Sequence, residues 1–105
     1  MRIVMVRYTV KADRVEENER LVRAVYEELA QSAPEGLRYA TFKLEDGRSF
    51  MHLAAVTDEA ENPLSRQPAF AEFQREIADR CETQPVVTRL EEVGSYRLLG
   101  EAGAA

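Results

Sequence analysis

The residues with the clearest capacity for chemistry lie close together in this chain of 105 residues, in the segment LRYATFKLEDGRSFMHLAAV (residues 37–56). The segment holds the single histidine, His52, and its alternating positions carry Tyr39, Thr41 and Phe50. An imidazole exchanges protons near neutral pH, which suits the deprotonation of a phenol. The alternative is a structural histidine that hydrogen-bonds across an interface between two copies of the chain.

Two arginines on the predicted first and last strands extend this set. An arginine can stabilise a developing anion, and a tyrosine beside it can orient a phenolic or acidic ligand. The alternative is an ordinary interface, where arginine and aromatic residues are enriched in any case. We predict catalytic roles for His52, Arg7 and Tyr39 and ligand contacts for Thr41, Phe50 and Arg89.

The segment itself predicts a β-hairpin. Asp46-Gly47 between two alternating runs is a strong hairpin signal, and a two-residue turn fixes the register. That register places Lys43 opposite Phe50 and Thr41 opposite His52, so the candidate residues share one sheet face. The other face is drier through its middle, so we assign it to the helices.

The mixed composition of the first face predicts a covering layer. Exposed apolar patches mark interaction sites, whereas Lys43 and His52 are costly to bury unpaired. A second copy of the sheet, enclosing a polar pocket, satisfies both conditions. We therefore predict a homodimer through this sheet face, with Arg7 near its centre.

The elements around the hairpin follow the order β-α-β-β-α-β. Strand 1 is predicted at Arg2–Val10, and helix 1 at residues 13–32, where Asp13 and Glu16 suggest a capping box. Helix 2 is predicted from Pro68 through the apolar series Phe70, Phe73, Ile77 and Cys81, and strand 4 over residues 85–99. Right-handed crossovers then give an α+β, ferredoxin-like fold: a four-stranded antiparallel sheet with two helices on one face.

Composition excludes several classes of function. The net charge of -5 argues against nucleic acid and anionic membranes as partners, and no apolar run is long enough to span a bilayer. One cysteine and one histidine make a zinc site improbable, so we predict no metal. The lone Cys81 and the lack of a signal-peptide pattern predict a cytoplasmic protein. We expect one domain over residues 1–100 and a disordered tail over residues 101–105.

Two late segments carry a family resemblance. SRQPAFAEFQREIADRC resembles the second helix of the antibiotic biosynthesis monooxygenase-like group, and VVTRLEEVGSYRLL resembles that group's long last strand. The resemblance extends over about residues 2–99. It implies a dimeric α/β barrel, in which two ferredoxin-like sheets pack face to face, with a pocket at the interface or between each sheet and its helices.

The resemblance also implies possible chemistry. Some members oxidise polycyclic aromatic or quinol substrates with O₂ and without metal or flavin, and relatives degrade haem. Oxygenase members usually use Trp, Asn, Tyr and Arg, but this chain has no Trp, and its asparagines are Asn18, on helix 1, and Asn62, on a loop. The missing Trp and the position of His52 on a strand disfavour haem degradation.

Three functional hypotheses follow. The first is a cofactor-free monooxygenase acting on a small aromatic or quinol, with His52 as base, Arg7 as anion stabiliser and Tyr39 as positioning group. The second is a module that binds a small aromatic ligand without turning it over, and the third is a structural homodimer. No cofactor is predicted, and whether haem or flavin binds stays open.

Overall fold

A computed structural model describes residues 1–57 and 61–98, so the predicted tail at residues 101–105 lies outside the described residues. Within these ranges four strands form one antiparallel sheet in the order β2-β3-β1-β4, with the helices packed on it. The predicted α+β, ferredoxin-like fold is confirmed. The elements are β1 (Arg2–Val10), α1 (Val15–Ser32), β2 (Leu37–Lys43), β3 (Ser49–Val56), α2 (Pro68–Gln74), α3 (Ile77–Arg80) and β4 (Cys81–Leu90).

The hairpin has the predicted register. Thr41 pairs with His52, and Lys43 pairs with Phe50. The turn is longer than two residues, because the Leu44 N–H donates to the Ser49 carbonyl and the Gly47 N–H donates to the Leu44 carbonyl. The pairing register is the predicted one despite the longer turn, because the side chains alternate on both strands as expected.

The predicted assignment of the two sheet faces is wrong. Phe50 and His52 are buried beneath the helices, in or beside the core that contains Tyr8, Val25 and Phe73. The opposite face, assigned to the helices from its drier middle, is open: Phe42 is 45% exposed and Val86 is 60% exposed. The polar side chains of the helix face are tolerated because helices α1 and α3 supply hydrogen-bond partners for them.

Three boundary predictions are also wrong. A short 3-10 helix, Ala12–Arg14, precedes α1, and no side-chain capping bond forms, so the Asp13 capping box is absent. Predicted helix 2 is broken at Glu76, which adopts a left-handed backbone with φ of 62° and separates α2 from α3. Strand β4 begins at Cys81, where it pairs with Val10, and ends at Leu90.

The core lies between the sheet and the helices. Its buried residues come from β1, α1, β3, α2 and the start of β4, and Phe70 and Ile77 pack against them as predicted. Within the described residues, no helix is both long enough and apolar enough to cross a membrane.

Candidate functional site in the helix–sheet layer

The candidate site is organised by one row of paired residues on the helix side of the sheet. Thr41 pairs with His52 across β2 and β3, and His52 pairs with Val6 across β3 and β1. His52 is only 5% exposed because the helices cover it. A buried imidazole needs hydrogen-bond partners, and the neighbouring strands β1 and β2 supply them.

Both ring nitrogens of His52 are engaged. Its Nε2 lies 2.8 Å from the Tyr8 hydroxyl, and its Nδ1 lies 2.6 Å from the Tyr39 hydroxyl. The Thr41 hydroxyl lies 3.2 Å from the same Nδ1. Tyr39 and Thr41 are thus brought to His52 as the sequence predicts.

The inner end of this network reaches two further buried residues. The Asn18 side-chain amide donates to the Tyr8 hydroxyl over 2.9 Å, and the Arg80 Nε donates to the Asn18 Oδ1 over 3.2 Å. Asn18 is completely buried and Arg80 is 1% exposed. The Arg80 guanidinium also donates to the carbonyls of Phe73 and Arg75, which the break between α2 and α3 leaves available.

The outer end of the network reaches a crevice between α1 and β2. The Tyr26 hydroxyl lies 2.8 Å from the Thr41 Oγ1, and the Tyr26 ring stacks on Tyr39 with centroids 5.3 Å apart. Tyr26 lines two adjoining cavities of this crevice, of about 260 Å³ and about 330 Å³. The first is also lined by Glu19, Val22, Arg23, Thr41, Lys43 and Phe50.

The charged rim of the crevice is an ion-pair group. The Glu19 carboxylate accepts from the Lys43 Nζ at 2.5 Å and from the Arg23 guanidinium at 3.0 Å. The pKa of Glu19 is lowered, first by the hydrogen bond from Lys43. Two cations share one carboxylate, so the mouth of the smaller cavity carries a positive excess.

Burial sets the protonation states in the network. It lowers the pKa of His52 to about 4, so the imidazole is neutral at pH 7. It raises the pKa of Tyr8, Tyr39 and Tyr26, so all three phenols are protonated. Burial also lowers the pKa of Arg80, which nevertheless remains a cation.

Aromatic rings enclose the histidine. The His52 ring centroid lies 5.2 Å from that of Phe73 and 5.3 Å from that of Tyr8. Phe50 stacks on Tyr8 with centroids 5.6 Å apart and also lines the smaller cavity. Phe50 is therefore both a core residue and part of the crevice floor.

The two predicted arginines lie apart from this cluster. Arg7 is exposed on the open face of the sheet, because Val6 and Tyr8 on either side of it point toward the helices. The prediction that it converges with His52 and Tyr39 is wrong. Arg89 is exposed on the edge strand β4, paired with Val4, and β1 lies between it and His52.

Four network residues were not predicted as site residues: Tyr8, Asn18, Tyr26 and Arg80. Asn18 carried a usable signal, since it occupies the apolar stripe of α1 between Val15 and Val22, where a polar residue needs a buried partner. Arg80 gave no comparable signal, because an arginine near a helix end is usually solvated.

Within the described ranges, no group of three or more His, Cys, Asp or Glu side chains is arranged to hold a metal ion.

The sequence matches no protein-family model and no curated protein. The structure, however, is similar to a solved antibiotic biosynthesis monooxygenase, with a TM-score of 0.74 and 19% identity over 90% of this chain and 100% of that chain. It is also similar to Rv0793 from Mycobacterium tuberculosis, with a TM-score of 0.72 and 17% identity over 90% of this chain and 96% of that one.

A third similar structure is a mutant of SnoaB, a cofactor-independent oxygenase from Streptomyces nogalater. Its TM-score is 0.65, and its identity is 18% over 91% of this chain and 97% of that chain. The resemblance to antibiotic biosynthesis monooxygenases that the sequence suggests is thus confirmed at the level of the fold. At these identities, structural similarity establishes the fold alone.

Proposed function

We propose that the protein is a monooxygenase of the cofactor-independent kind, acting on a small aromatic or quinol substrate in the crevice between α1 and β2. The observation that carries the proposal is the buried network on His52, which opens at the crevice through Tyr26, Tyr39 and Thr41. The likeness to SnoaB supports it. The larger cavity of the crevice has the mainly apolar lining and few polar groups typical of a small-molecule site, and the smaller cavity adds the charged rim.

The proposed chemistry uses hydrogen bonds to a phenolate. A phenolate or enolate is electron-rich enough to reduce O₂, and donors aimed at its oxygen favour its formation. The phenolate places negative charge on a ring carbon that is a CH₂ carbon in the keto tautomer, and the proton lost in forming it passes to solvent. Oxygen adds at that carbon, the resulting peroxide takes a proton back from solvent, and loss of water from the hydroperoxide leaves a carbonyl. All electrons come from the substrate, one oxygen atom stays in the product and the other leaves as water.

Within this proposal His52 is a positioning residue, and the base role predicted from the sequence is withdrawn. Its lowered pKa makes it a weak base, and both of its ring nitrogens are already hydrogen-bonded. The groups proposed to meet the substrate oxygen are the hydroxyls of Tyr26 and Tyr39. Thr41 links the Tyr26 hydroxyl to the Nδ1 of His52, and Phe50 supports the ring of the substrate.

The proposal includes a homodimer formed by the open face of the sheet. Phe42, Met51, Arg7 and Val86 form one row across that face. Its exposed apolar side chains are of the kind that mark an interaction surface, and the face is the reverse of the one predicted from the sequence. A reducing, cytoplasmic setting is proposed with it, since Cys81 is a buried free thiol.

The test is oxygen consumption by the whole protein with polycyclic phenols and quinols, started by admitting air to anaerobic mixtures. We expect uptake that is catalytic and that Tyr39→Phe lowers by about 100-fold or more in kcat/KM. Tyr96→Phe is the matched control, because Tyr96 is 80% exposed outside the crevice. Absence of uptake across the series, or equal loss in both variants, would contradict the proposal.

A binding module without turnover is the second candidate. The charged rim of the crevice favours it, because Lys43 and Arg23 could hold an acidic group without any chemistry. A ligand present at about 100 times its Kd adds about 2.7 kcal/mol to folding stability. Thermal stabilisation by aromatic acids without oxygen consumption would support this candidate over the oxygenase.

A further inference from the structure

The hydrogen bonds of the network on His52 run in one direction, because the chemistry of the donor and acceptor atoms determines it. A guanidinium can only donate hydrogen bonds, so the Asn18 atom facing the Arg80 Nε must be the amide oxygen. The Asn18 NH₂ group therefore faces Tyr8 and donates to its hydroxyl oxygen. With this oxygen accepting from Asn18, the Tyr8 hydrogen is directed to the remaining neighbour, the Nε2 of His52.

The tautomer of His52 follows from the Tyr8 hydrogen bond. A neutral imidazole has one protonated nitrogen, so an Nε2 that accepts from Tyr8 leaves the proton on Nδ1. Nδ1–H then donates to the Tyr39 oxygen, 2.6 Å away. The reverse order would leave the buried Tyr8 hydrogen without an acceptor, which is costly in the interior.

The direction continues outward to the crevice. The Nδ1–H of His52 also faces the Thr41 Oγ1 at 3.2 Å, and this Oγ1 lies 2.8 Å from the Tyr26 hydroxyl. Among the described residues, the Tyr26 hydroxyl bonds to Thr41. Because the Thr41 oxygen accepts from Nδ1–H, its own hydrogen is directed to the Tyr26 oxygen, and the Tyr26 O–H points into the crevice.

We propose that Asn18 and Arg80 are positioning residues that fix the tautomer of His52 and turn the Tyr26 hydroxyl into a hydrogen-bond donor, so that the crevice selects the anionic, phenolate form of its ligand. This inference deepens the proposed function and rests on it for the location of the ligand. The crevice site gains specificity because charge-assisted hydrogen bonds to a phenolate are stronger than those to a neutral phenol.

One isosteric substitution reverses the direction of these hydrogen bonds. In Asn18→Asp both carboxylate oxygens accept, one from Arg80 and one from Tyr8. The Tyr8 hydrogen then points away from His52, Nε2–H donates to Tyr8, and Nδ1 becomes an acceptor for Tyr39. The Tyr26 oxygen would finally present a lone pair to the crevice and select a neutral phenol.

The tautomer is directly observable, because His52 is the single histidine in the chain. In a protein labelled with ¹⁵N-histidine, we expect a protonated Nδ1 and an unprotonated Nε2 for the unaltered chain. Asn18→Asp should exchange the two signals. A protonated Nε2 in the unaltered protein would overturn the inference without any variant, and so would an unchanged tautomer in Asn18→Asp.

The ligand selection is tested with 4-nitrophenol, whose two ionisation states absorb differently. We expect the unaltered protein to bind the phenolate roughly tenfold more tightly than the phenol, and Asn18→Asp to reverse the preference. Glu19, Arg23 and Lys43 face the same cavity and Arg80 lies behind the network, but all four are common to both proteins. Asn62→Asp, on an exposed loop, is the control for the added charge.

Tyr26→Phe separates the two halves of the inference and does not depend on burying a new charge. It should keep the His52 tautomer and lose the preference for the phenolate. Equal binding of both forms by the unaltered protein, or no binding of either, would overturn the inference. The proposed oxygenase function is judged separately by oxygen consumption with quinols.

Discussion

Acid should destabilise this fold through one buried imidazole. His52 is 5% exposed, and burial lowers its pKa from 6.5 to about 4. Above pH 6.5 the histidine is neutral in both the folded and the unfolded chain and contributes no pH dependence. As the pH falls below that value, the unfolded chain binds the proton first, so the free energy of unfolding decreases.

The size of the effect follows from the separation of the two pKa values. Each unit corresponds to about 1.4 kcal/mol, so complete acidification through both values costs about 3.4 kcal/mol. Between about pH 7.5 and about pH 4.5, most of this loss, about 2.5 kcal/mol, should be present. Glu17 and Glu19 also have lowered pKa values, each through a hydrogen bond from a cation, so a control must remove their contribution.

The assay is urea unfolding at both pH values, at one protein concentration, for the unaltered protein and for His52→Gln. The variant is less stable throughout because it loses ring contacts, but it retains the carboxylates. We expect the unaltered protein to lose about 2.5 kcal/mol more than the variant over this interval. Equal losses, or a gain in the unaltered protein, would refute a neutral, buried His52.

Three further outcomes are expected. Ala33→Gly should stabilise the chain by about 1 kcal/mol, because Ala33 ends α1 with a φ of 43°, whereas Ala30→Gly within the helix should destabilise it by a similar amount in thermal unfolding. Val86→Asp on the open sheet face should dissociate the proposed dimer in light scattering, while Val93→Asp, 98% exposed beyond β4, should not. Asn18→Leu should cost about 3 kcal/mol or more in urea unfolding, since it removes one hydrogen-bond partner from a buried guanidinium and one from a buried phenol.

The hairpin register was predictable because its signals are local. Asp46-Gly47 marks the turn, and the alternation around it leaves one pairing in which His52 meets Thr41. Which sheet face packs against the helices, in contrast, depends on residues that are distant in the sequence. Thr41 and His52 look unsuited to a core until Tyr26 and Tyr8, distant in sequence, are known to satisfy them.

The break in the second helix shows the same limit. Neither glycine nor proline lies near Glu76, and the apolar spacing of Phe73 and Ile77 continues through it, so the pattern predicts one helix. The carbonyls of Phe73 and Arg75 are instead satisfied by the Arg80 side chain. A tertiary contact of this kind compensates for the lost helical hydrogen bonds and cannot be inferred from periodicity.

The most direct test of the account is a titration with a phenolic ligand that observes both sheet faces at once. The ¹⁵N signals of His52 report on the helix side, and the methyl groups of Met5 and Met51 report on the open side. We expect the ligand to shift the His52 signals and to leave both methionine methyl groups unchanged. Shifts confined to Met5 and Met51 would place the ligand on the open face and contradict a site in the crevice between α1 and β2.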